Sequence, residues 1–152
     1  YAAVRAYEGG LEIERYLQYS RRILGTLACE LTTILRKTGV DLPAPEGGFY
    51  LFPSFEAFRE PLERRGINDS VTFCESLLED TGVAILPGSE FGRPPGELTA
   101  RLAFVDFDGA RALINAEGTP LDHPLPEEFL RENCNRVLTA VERIRDWLQN
   151  SS

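Results

Sequence analysis

The chain has 152 residues, of which 43% are hydrophobic and 26% are charged, a composition that is ordinary for one compact globular domain and excludes a collagen-like or wholly disordered chain. The formal net charge of −8 argues against a nucleic-acid partner, because phosphate binding needs clustered positive charge. No apolar run approaches the length of a membrane span, so we expect no membrane partner.

The rarer residue types bound the chemistry and the compartment. Three cysteines (Cys29, Cys74 and Cys134) at long spacings favour free thiols in a reducing compartment, which indicates a cytoplasmic protein. The single histidine, His123, cannot build a histidine-rich metal site, and we expect no metal. The sequence contains no methionine, so Tyr1 is not a native translation start. We therefore expect a piece of a longer protein or a processed product.

The first part of the chain predicts a long helix. Apolar residues recur every three or four positions over residues 11–37, and Gly39 is placed to end that helix. The glycine pair at 9–10 predicts a break, so that residues 1–8 form a separate helical segment.

The middle of the chain predicts a strand followed by helical segments. The short aromatic-rich stretch 48–55 favours a strand. Residues 56–66 predict a loop or a short helix. Asp69 or Ser70 is expected to cap the next helix, which ends at Gly82.

The remaining segments predict two strands and two helices. Residues 83–86 and 99–107 are apolar runs of strand type. Residues 110–116 predict a short helix, and the proline-rich stretch 117–126 predicts an irregular surface crossing. Helical spacing of apolar residues predicts a final long helix with Pro126 in its first turn.

The order of these elements predicts the fold class. We expect an α+β (two-layer α/β) domain, with a small, mainly antiparallel sheet of about three strands covered by helices. Long helices form the N-terminal and C-terminal parts of this single domain, which spans residues 1–152.

Arg101 is the residue in this pattern whose chemistry needs an explanation. It lies within an apolar strand, where a guanidinium must face solvent, pair with an internal acid or await an anionic ligand. A guanidinium can hold a carboxylate through two parallel charge-assisted hydrogen bonds. The pattern alone leaves open an edge-strand arginine paired with an acid, and Asp106 and Asp108 are nearby candidates for that acid.

Three motifs carry a family resemblance. These are Pro-Glu-Gly-Gly-Phe-Tyr-Leu-Phe at 45–52, Gly-Val-Ala-Ile-Leu-Pro-Gly-Ser-Glu-Phe-Gly at 82–92 and Ala-Arg-Leu-Ala-Phe at 100–104. In this order, behind a long helix, they resemble the small C-terminal domain of the class I/II aminotransferases, fold type I enzymes that depend on pyridoxal 5'-phosphate. The resemblance covers residues 13–104, and less specifically the final helix. It implies that a large cofactor-binding domain precedes Tyr1.

The resemblance also implies roles for individual residues. Arg101 would bind the α-carboxylate of the substrate, and Gly48 would open the strand that approaches the active site. Tyr50, or next Phe49, would line the substrate pocket, and Phe91 would form part of its wall. Because neighbouring strand residues alternate, we expect only one of Phe49 and Tyr50 to face the pocket. Purely structural roles remain open for these three aromatic residues.

The implied parent is an aminotransferase that transfers an amino group between an amino acid and a 2-oxo acid. Lys37 is the only lysine and lies near the end of the first long helix, off its apolar stripe. The Schiff-base lysine is therefore absent, and we expect no catalytic, cofactor-binding or metal-binding residue here and no activity from the chain alone. The resemblance implies that the large domain of the same polypeptide binds most of the cofactor and that the parent is a homodimer.

Two alternatives remain, and one segment departs from the family pattern. A lyase or synthase can use the same fold and cofactor, and a stand-alone binding module could have kept the fold without the chemistry. Residues 106–126 separate the Arg101 strand from the final helix by more than the family usually shows. This segment could be a subgroup-specific loop or an interface.

Overall fold

The structure, a computed structural model, describes residues 2–151. The helices are α1 (Ala2–Glu8), α2 (Leu11–Thr38), α3 (Arg59–Arg64), α4 (Ser70–Thr81), α5 (Gly109–Glu117), α6 (Phe129–Asn133) and α7 (Asn135–Gln149). The strands are β1 (Tyr50–Leu51), β2 (Leu86–Pro87) and β3 (Ala100–Ala103). The strands pair antiparallel in the order β1-β3-β2. The predicted α+β class is confirmed.

The long helix α2 follows the predicted apolar periodicity. Its buried residues are Tyr19, Ile23, Leu27, Ala28, Leu31, Thr32 and Leu35. The helix ends at Gly39, which takes a left-handed φ of 104° and donates its N–H to the carbonyl oxygen of Arg36, while the next N–H, of Val40, bonds to the carbonyl oxygen of Leu35. The prediction for residues 11–37 is confirmed, with Thr38 added to the last turn.

Two further helix predictions are confirmed at their ends. The segment predicted at 1–8 is helical as α1, although Tyr1 lies outside the described residues. Of the two candidate caps for α4, Asp69 is the one that acts, because its carboxylate accepts two backbone N–H bonds from the first turn. The helix ends at Gly82, whose φ of 73° is left-handed.

The segment 56–66, predicted as a loop or a short helix, is helical over most of its length. A 3₁₀ turn at Glu56–Phe58 leads directly into α3. Pro61 sits within the first turn of α3, where its missing N–H leaves no helical hydrogen bond unmade. The short helix predicted at 110–116 is also confirmed, as α5.

The prediction of one continuous final helix is wrong in two respects. The helix starts at Phe129 rather than at Pro126, and it is divided at Cys134, whose φ of −124° and ψ of 20° leave the helical region. The side chain of buried Asn133 donates to the carbonyl oxygen of Phe129 and accepts a bond from Asn115 of α5. These side-chain bonds compete with a continuous helical ladder.

The strand predictions are correct in order but too long. β1 begins only at Tyr50, because Gly48 has a φ of 73° that is incompatible with a strand. It ends before Pro53, which cannot donate to a ladder. β3 ends at Ala103 rather than at residue 107, because the Phe107 N–H bonds back to the Val105 carbonyl oxygen and turns the chain towards α5.

β2 is displaced from its predicted position at 83–86. The N–H of Val83 bonds to the Thr81 hydroxyl, which holds this residue against the end of α4. The chain therefore joins the sheet only at Leu86, opposite Arg101, and Pro87 pairs with Ala100.

The sheet has a buried face and an open face. Leu51, Ala100 and Leu102 alternate onto the buried face and join the core of α2, α4 and α7. Tyr50 and Leu86 lie on the other face and are exposed. Within the described residues, the helices are too short or too polar to cross a membrane.

Candidate functional site

Arg101 lies in the central strand of the sheet and is half-buried on the open face. Its guanidinium carbon Cζ is 4.4 Å from the centre of the Tyr50 ring and 4.1 Å from the centre of the Phe91 ring. Both distances are within the range of cation–π interactions. Tyr50 comes from β1 and Phe91 from the turn after β2, so the rings approach from the strands on either side of β3.

Arg101 has no acidic partner in the part of the chain that the structure describes. The two acids proposed from the sequence as its partners are used elsewhere. Asp106 pairs with Arg136 at 3.1 Å, and Asp108 caps α5 by accepting the Arg111 N–H at 3.0 Å. The alternative of an internally neutralised Arg101 is therefore wrong.

Many other described arginines differ from Arg101 because their side chains have hydrogen-bonding or ion-pair partners. The following donate to acids or to carbonyl oxygens: Arg22, Arg36, Arg59, Arg64, Arg65, Arg93, Arg131, Arg136, Arg143 and Arg145. Arg15, Arg21 and Arg111 make no such bond among the described residues either, but they are exposed, whereas Arg101 is half-buried. The side chain of Arg101 contacts aromatic rings and makes no hydrogen bond to another described residue. Its N–H donors are available to an anion that approaches the open face of the sheet.

The aromatic side chains around Arg101 form a connected group. The rings of Phe49 and Tyr50 lie 4.3 Å apart, and Phe52 meets Phe91 edge-on at 6.1 Å. Phe49 is 39% exposed, Tyr50 43% and Phe91 39%. Phe49 and Tyr50 do not lie on opposite faces as strand alternation predicts. Phe49 precedes β1, and its ring contacts the Tyr50 ring.

Phe52 and Leu86 belong to this surface and are missed by the sequence argument. Leu86 is directly opposite Arg101 in the ladder and is exposed. Phe52 follows Tyr50 by two residues, so strand alternation could have placed it on the same face.

Glycines shape the segments on both sides of the site. Gly48 turns the chain into β1 two residues before Tyr50, and its φ of 73° strongly favours glycine. On the other side, Gly88 starts the 3₁₀ turn Gly88–Phe91 and donates its N–H to the Thr99 carbonyl oxygen at 2.8 Å. The Ser70 hydroxyl bonds to Ser89 at 3.2 Å, which ties the same turn to α4.

An ion pair holds the chain where it enters β3. Glu56 receives two hydrogen bonds from Arg59 and accepts the Leu98 backbone N–H at 2.8 Å. The hydrogen bond from Arg59 lowers the pKa of the Glu56 carboxyl, and the Leu98 N–H lowers it further. Arg59 also donates to the Gly96 carbonyl oxygen. These bonds fix the backbone just before the strand that carries Arg101.

The described residues do not make up a pyridoxal phosphate site. Lys37 is exposed in the last turn of α2 and belongs to none of the contacts around Arg101. A Schiff-base lysine has to meet the cofactor in a desolvated pocket, and an acid has to meet the pyridinium nitrogen. The surface around Arg101 offers a cation and aromatic rings, which fit a carboxylate, and it includes no lysine.

Two cavities among the described residues are close to the motifs identified from the sequence. One of about 560 Å³ is bounded by residues 82–85, α7 and, in β3, Leu102 and Ala103, and another of about 360 Å³ lies between α2 and residues 45–48. Neither includes Arg101 in its lining.

Comparison with known proteins identifies the family. The model of the family "Aminotransferase class I and II" matches residues 1–115. The chain belongs to the class I and II aminotransferases. The match covers every motif around Arg101 and confirms the family expected from the sequence.

Individual aminotransferases agree with this assignment. The chain is 34% identical over 140 residues to the aspartate/prephenate aminotransferase of Cereibacter sphaeroides, covering 90% of this chain and 29% of that protein. It is 38% identical over 95 residues to the aspartate aminotransferase of Bacillus subtilis, covering 62% of this chain and 23% of that protein.

A solved structure gives the same result. The aspartate aminotransferase of Thermotoga maritima superposes over 97% of this chain and 27% of its own, with a TM-score of 0.51 and 29% identity. The chain thus spans less than a third of the length of each of these aminotransferases.

Proposed function

We propose that this chain is the small C-terminal domain of a pyridoxal-phosphate-dependent aminotransferase and that Arg101 binds the carboxylate of its substrate. The observation that supports this most strongly is the state of Arg101. It is a half-buried guanidinium beside two aromatic rings, with no acid or carbonyl oxygen bonded to it among the described residues. An arginine left in this state has all its N–H donors available for an incoming anion.

The reaction that we propose transfers an amino group between an amino acid and a 2-oxo acid. Both substrates carry a carboxylate next to the reacting carbon. Arg101 would hold that carboxylate by two parallel N–H···O bonds, which set orientation as well as affinity. Orientation of the reacting carbon by a fixed carboxylate accelerates the reaction because the productive geometry is already formed on binding. Tyr50 and Phe91 would exclude water from this ion pair.

The cofactor supplies the electron sink for this chemistry when it is bound. Its lysine and phosphate ligands would come from a large domain of the same polypeptide, outside these 152 residues. We also propose that the complete enzyme is a homodimer. The unpaired thiols of Cys29, Cys74 and Cys134 support a reducing compartment such as the cytoplasm.

Among the alternatives, a lyase or synthase and a stand-alone binding module are not favoured. The relatives described above are named as aminotransferases. No contact of the described residues points to elimination or cyclisation in place of transfer.

Borohydride reduction of a polypeptide that contains this chain and its large domain tests the proposal. Reduction fixes a pyridoxal group to the lysine that binds it, and peptide mapping by mass spectrometry then locates that lysine. We expect the label on a lysine outside residues 1–152 and none on Lys37. The Lys37→Arg variant should keep the full label, because Lys37 is exposed and away from Arg101. A label on Lys37, or an active protein without a labelled lysine, would contradict the proposal.

A further inference from the structure

Two aromatic rings hold the Arg101 guanidinium without using its hydrogen-bond donors. The Cζ atom lies over the Tyr50 ring at 4.4 Å and over the Phe91 ring at 4.1 Å. A ring attracts a cation through its negative face and accepts no directed hydrogen bond in doing so. An acid at the same place would also fix the side chain, but it would occupy the N–H groups and neutralise the charge.

Each ring is itself held in position. Tyr50 is paired opposite Ala103 in the sheet, and its ring contacts Phe49. Phe91 ends a 3₁₀ turn whose first residue, Gly88, bonds to Thr99 just before β3, and its ring meets Phe52 edge-on. These contacts place both rings beside the strand that carries Arg101.

We infer that Tyr50 and Phe91 are positioning residues that fix the Arg101 guanidinium, with its donors free, for a substrate carboxylate. This inference rests on the proposed function. The rings restrict the long arginine side chain before the substrate binds, so less conformational entropy is lost on binding. For Tyr50 this role belongs to the ring and not to the phenol hydroxyl, which makes no hydrogen bond to a described residue.

Kinetic measurements on the complete enzyme distinguish the contribution of each aromatic ring from that of the rest of its side chain. The variants Tyr50→Leu and Phe91→Leu remove a ring while keeping an apolar side chain. We expect each to raise the KM for the amino acid about threefold to tenfold, with a smaller change in kcat, because one cation–π contact is lost. Tyr50→Phe keeps the ring and should raise the KM less than Tyr50→Leu does. Leu78→Ala, an exposed apolar truncation on α4, is the control and should change neither constant.

A spectroscopic measurement reports on the contact directly. Ring currents from the two aromatic faces should shift the NMR resonance of the Arg101 Nε–H upfield of the other arginines of the chain. Each leucine variant should remove part of this shift, and Tyr50→Phe should preserve it. If a leucine variant fails to fold, the wild-type and Tyr50→Phe resonances still decide whether the rings contact the guanidinium.

The outcomes distinguish this inference from the proposed function. An Arg101→Ala enzyme with a wild-type KM would overturn both. An impaired Arg101→Ala enzyme together with unaffected leucine variants would overturn the positioning role alone. An unshifted Arg101 Nε–H resonance in the wild type would likewise overturn it. Impaired leucine variants, a smaller effect of Tyr50→Phe than of Tyr50→Leu and an upfield resonance would support it.

Discussion

At the scale of single residues, Gly88 shows how closely the turn after β2 approaches β3. A Cβ atom at this position would lie 2.0 Å from the Thr99 hydroxyl oxygen and 3.0 Å from the Thr99 carbonyl oxygen. The carbonyl oxygen belongs to the backbone and accepts the Gly88 N–H, so it cannot move aside without breaking that bond. The turn that carries Phe91 therefore depends on glycine at residue 88.

Substitution of this glycine should destabilise the protein. We expect Gly88→Ala to lower the free energy of unfolding by about 1–3 kcal/mol, as overpacking of a core does. The measurement is equilibrium unfolding in urea. Gly25→Ala is the matched control: a Cβ there meets nothing within 4 Å, and Gly25 lies inside α2. Alanine should stabilise that helix by about 0.5–1 kcal/mol. Equal effects of the two substitutions would contradict the close packing at Gly88.

The role of single residues was only partly predictable from the sequence. Arg101 was identified by its place in a family motif, but the motif could not show that Asp106 and Asp108 turn away from it. That outcome depends on the tight turn at Val105–Phe107, which directs Asp106 to Arg136 and lets Asp108 cap α5. Contacts between segments that are distant along the chain leave no local sequence pattern, so they cannot be predicted from the sequence alone.

At the scale of elements, the ends of α2 and α4 were predicted well, whereas the start of the final helix and the strand ends were not. The end of α2 at Gly39 and the start of α4 at Asp69 follow from local chemistry, namely a left-handed glycine and a capping carboxylate. Strand ends depend on ladder hydrogen bonds to residues far along the chain. β2 is thus displaced because Val83 bonds to Thr81 at the end of α4.

The Asp69 cap gives a prediction for α4. The backbone N–H of Thr72 lowers the pKa of the Asp69 carboxyl, and further bonds from the Thr72 hydroxyl and the Val71 N–H lower it too. Asp69→Ala should therefore reduce the free energy of unfolding near pH 7 by about 0.5–2 kcal/mol. Asp69→Asn keeps an oxygen acceptor and should reduce the free energy of unfolding by a smaller amount.

The sign of the pH dependence follows from the lowered pKa. The native state favours ionised Asp69, so this stabilisation is complete above the unfolded pKa of about 3.9 and is lost as the pH falls through the lower folded pKa. Urea unfolding from pH 6 to pH 2 should show the advantage of the wild type over Asp69→Asn shrinking towards zero at the acid end. An advantage that is constant over this range would show that the charge of Asp69 does not contribute.

At the scale of the whole molecule, the open face of the sheet is what the proposed function depends on. One face of the sheet is covered by α2, α4 and α7, and the other presents Arg101 among exposed aromatic side chains. The chain covers less than a third of the aminotransferases that it resembles. Among the described residues, exposed apolar side chains therefore surround a cation without an acidic partner, as the proposed carboxylate site requires.

The fold class, the helix order and the family were predictable at this scale, because they follow from periodicity and from motif order. The aromatic contacts of Arg101 were not. They require the register that places Tyr50 opposite Ala103 and Leu86 opposite Arg101, and register is set by the whole sheet.

The proposed pairing of Arg101 with a substrate carboxylate is tested most directly by a two-by-two comparison of kcat/KM in the complete enzyme. The two enzymes are the wild type and Arg101→Ala. The two substrates are the amino acid with the highest kcat/KM and the amine that has the same side chain but lacks the carboxylate. In the wild type, loss of the carboxylate should lower kcat/KM on the order of 10²- to 10⁴-fold, because two charge-assisted hydrogen bonds disappear. In Arg101→Ala the two substrates should differ by less than about tenfold. The same ratio in both enzymes would show that Arg101 does not bind the carboxylate.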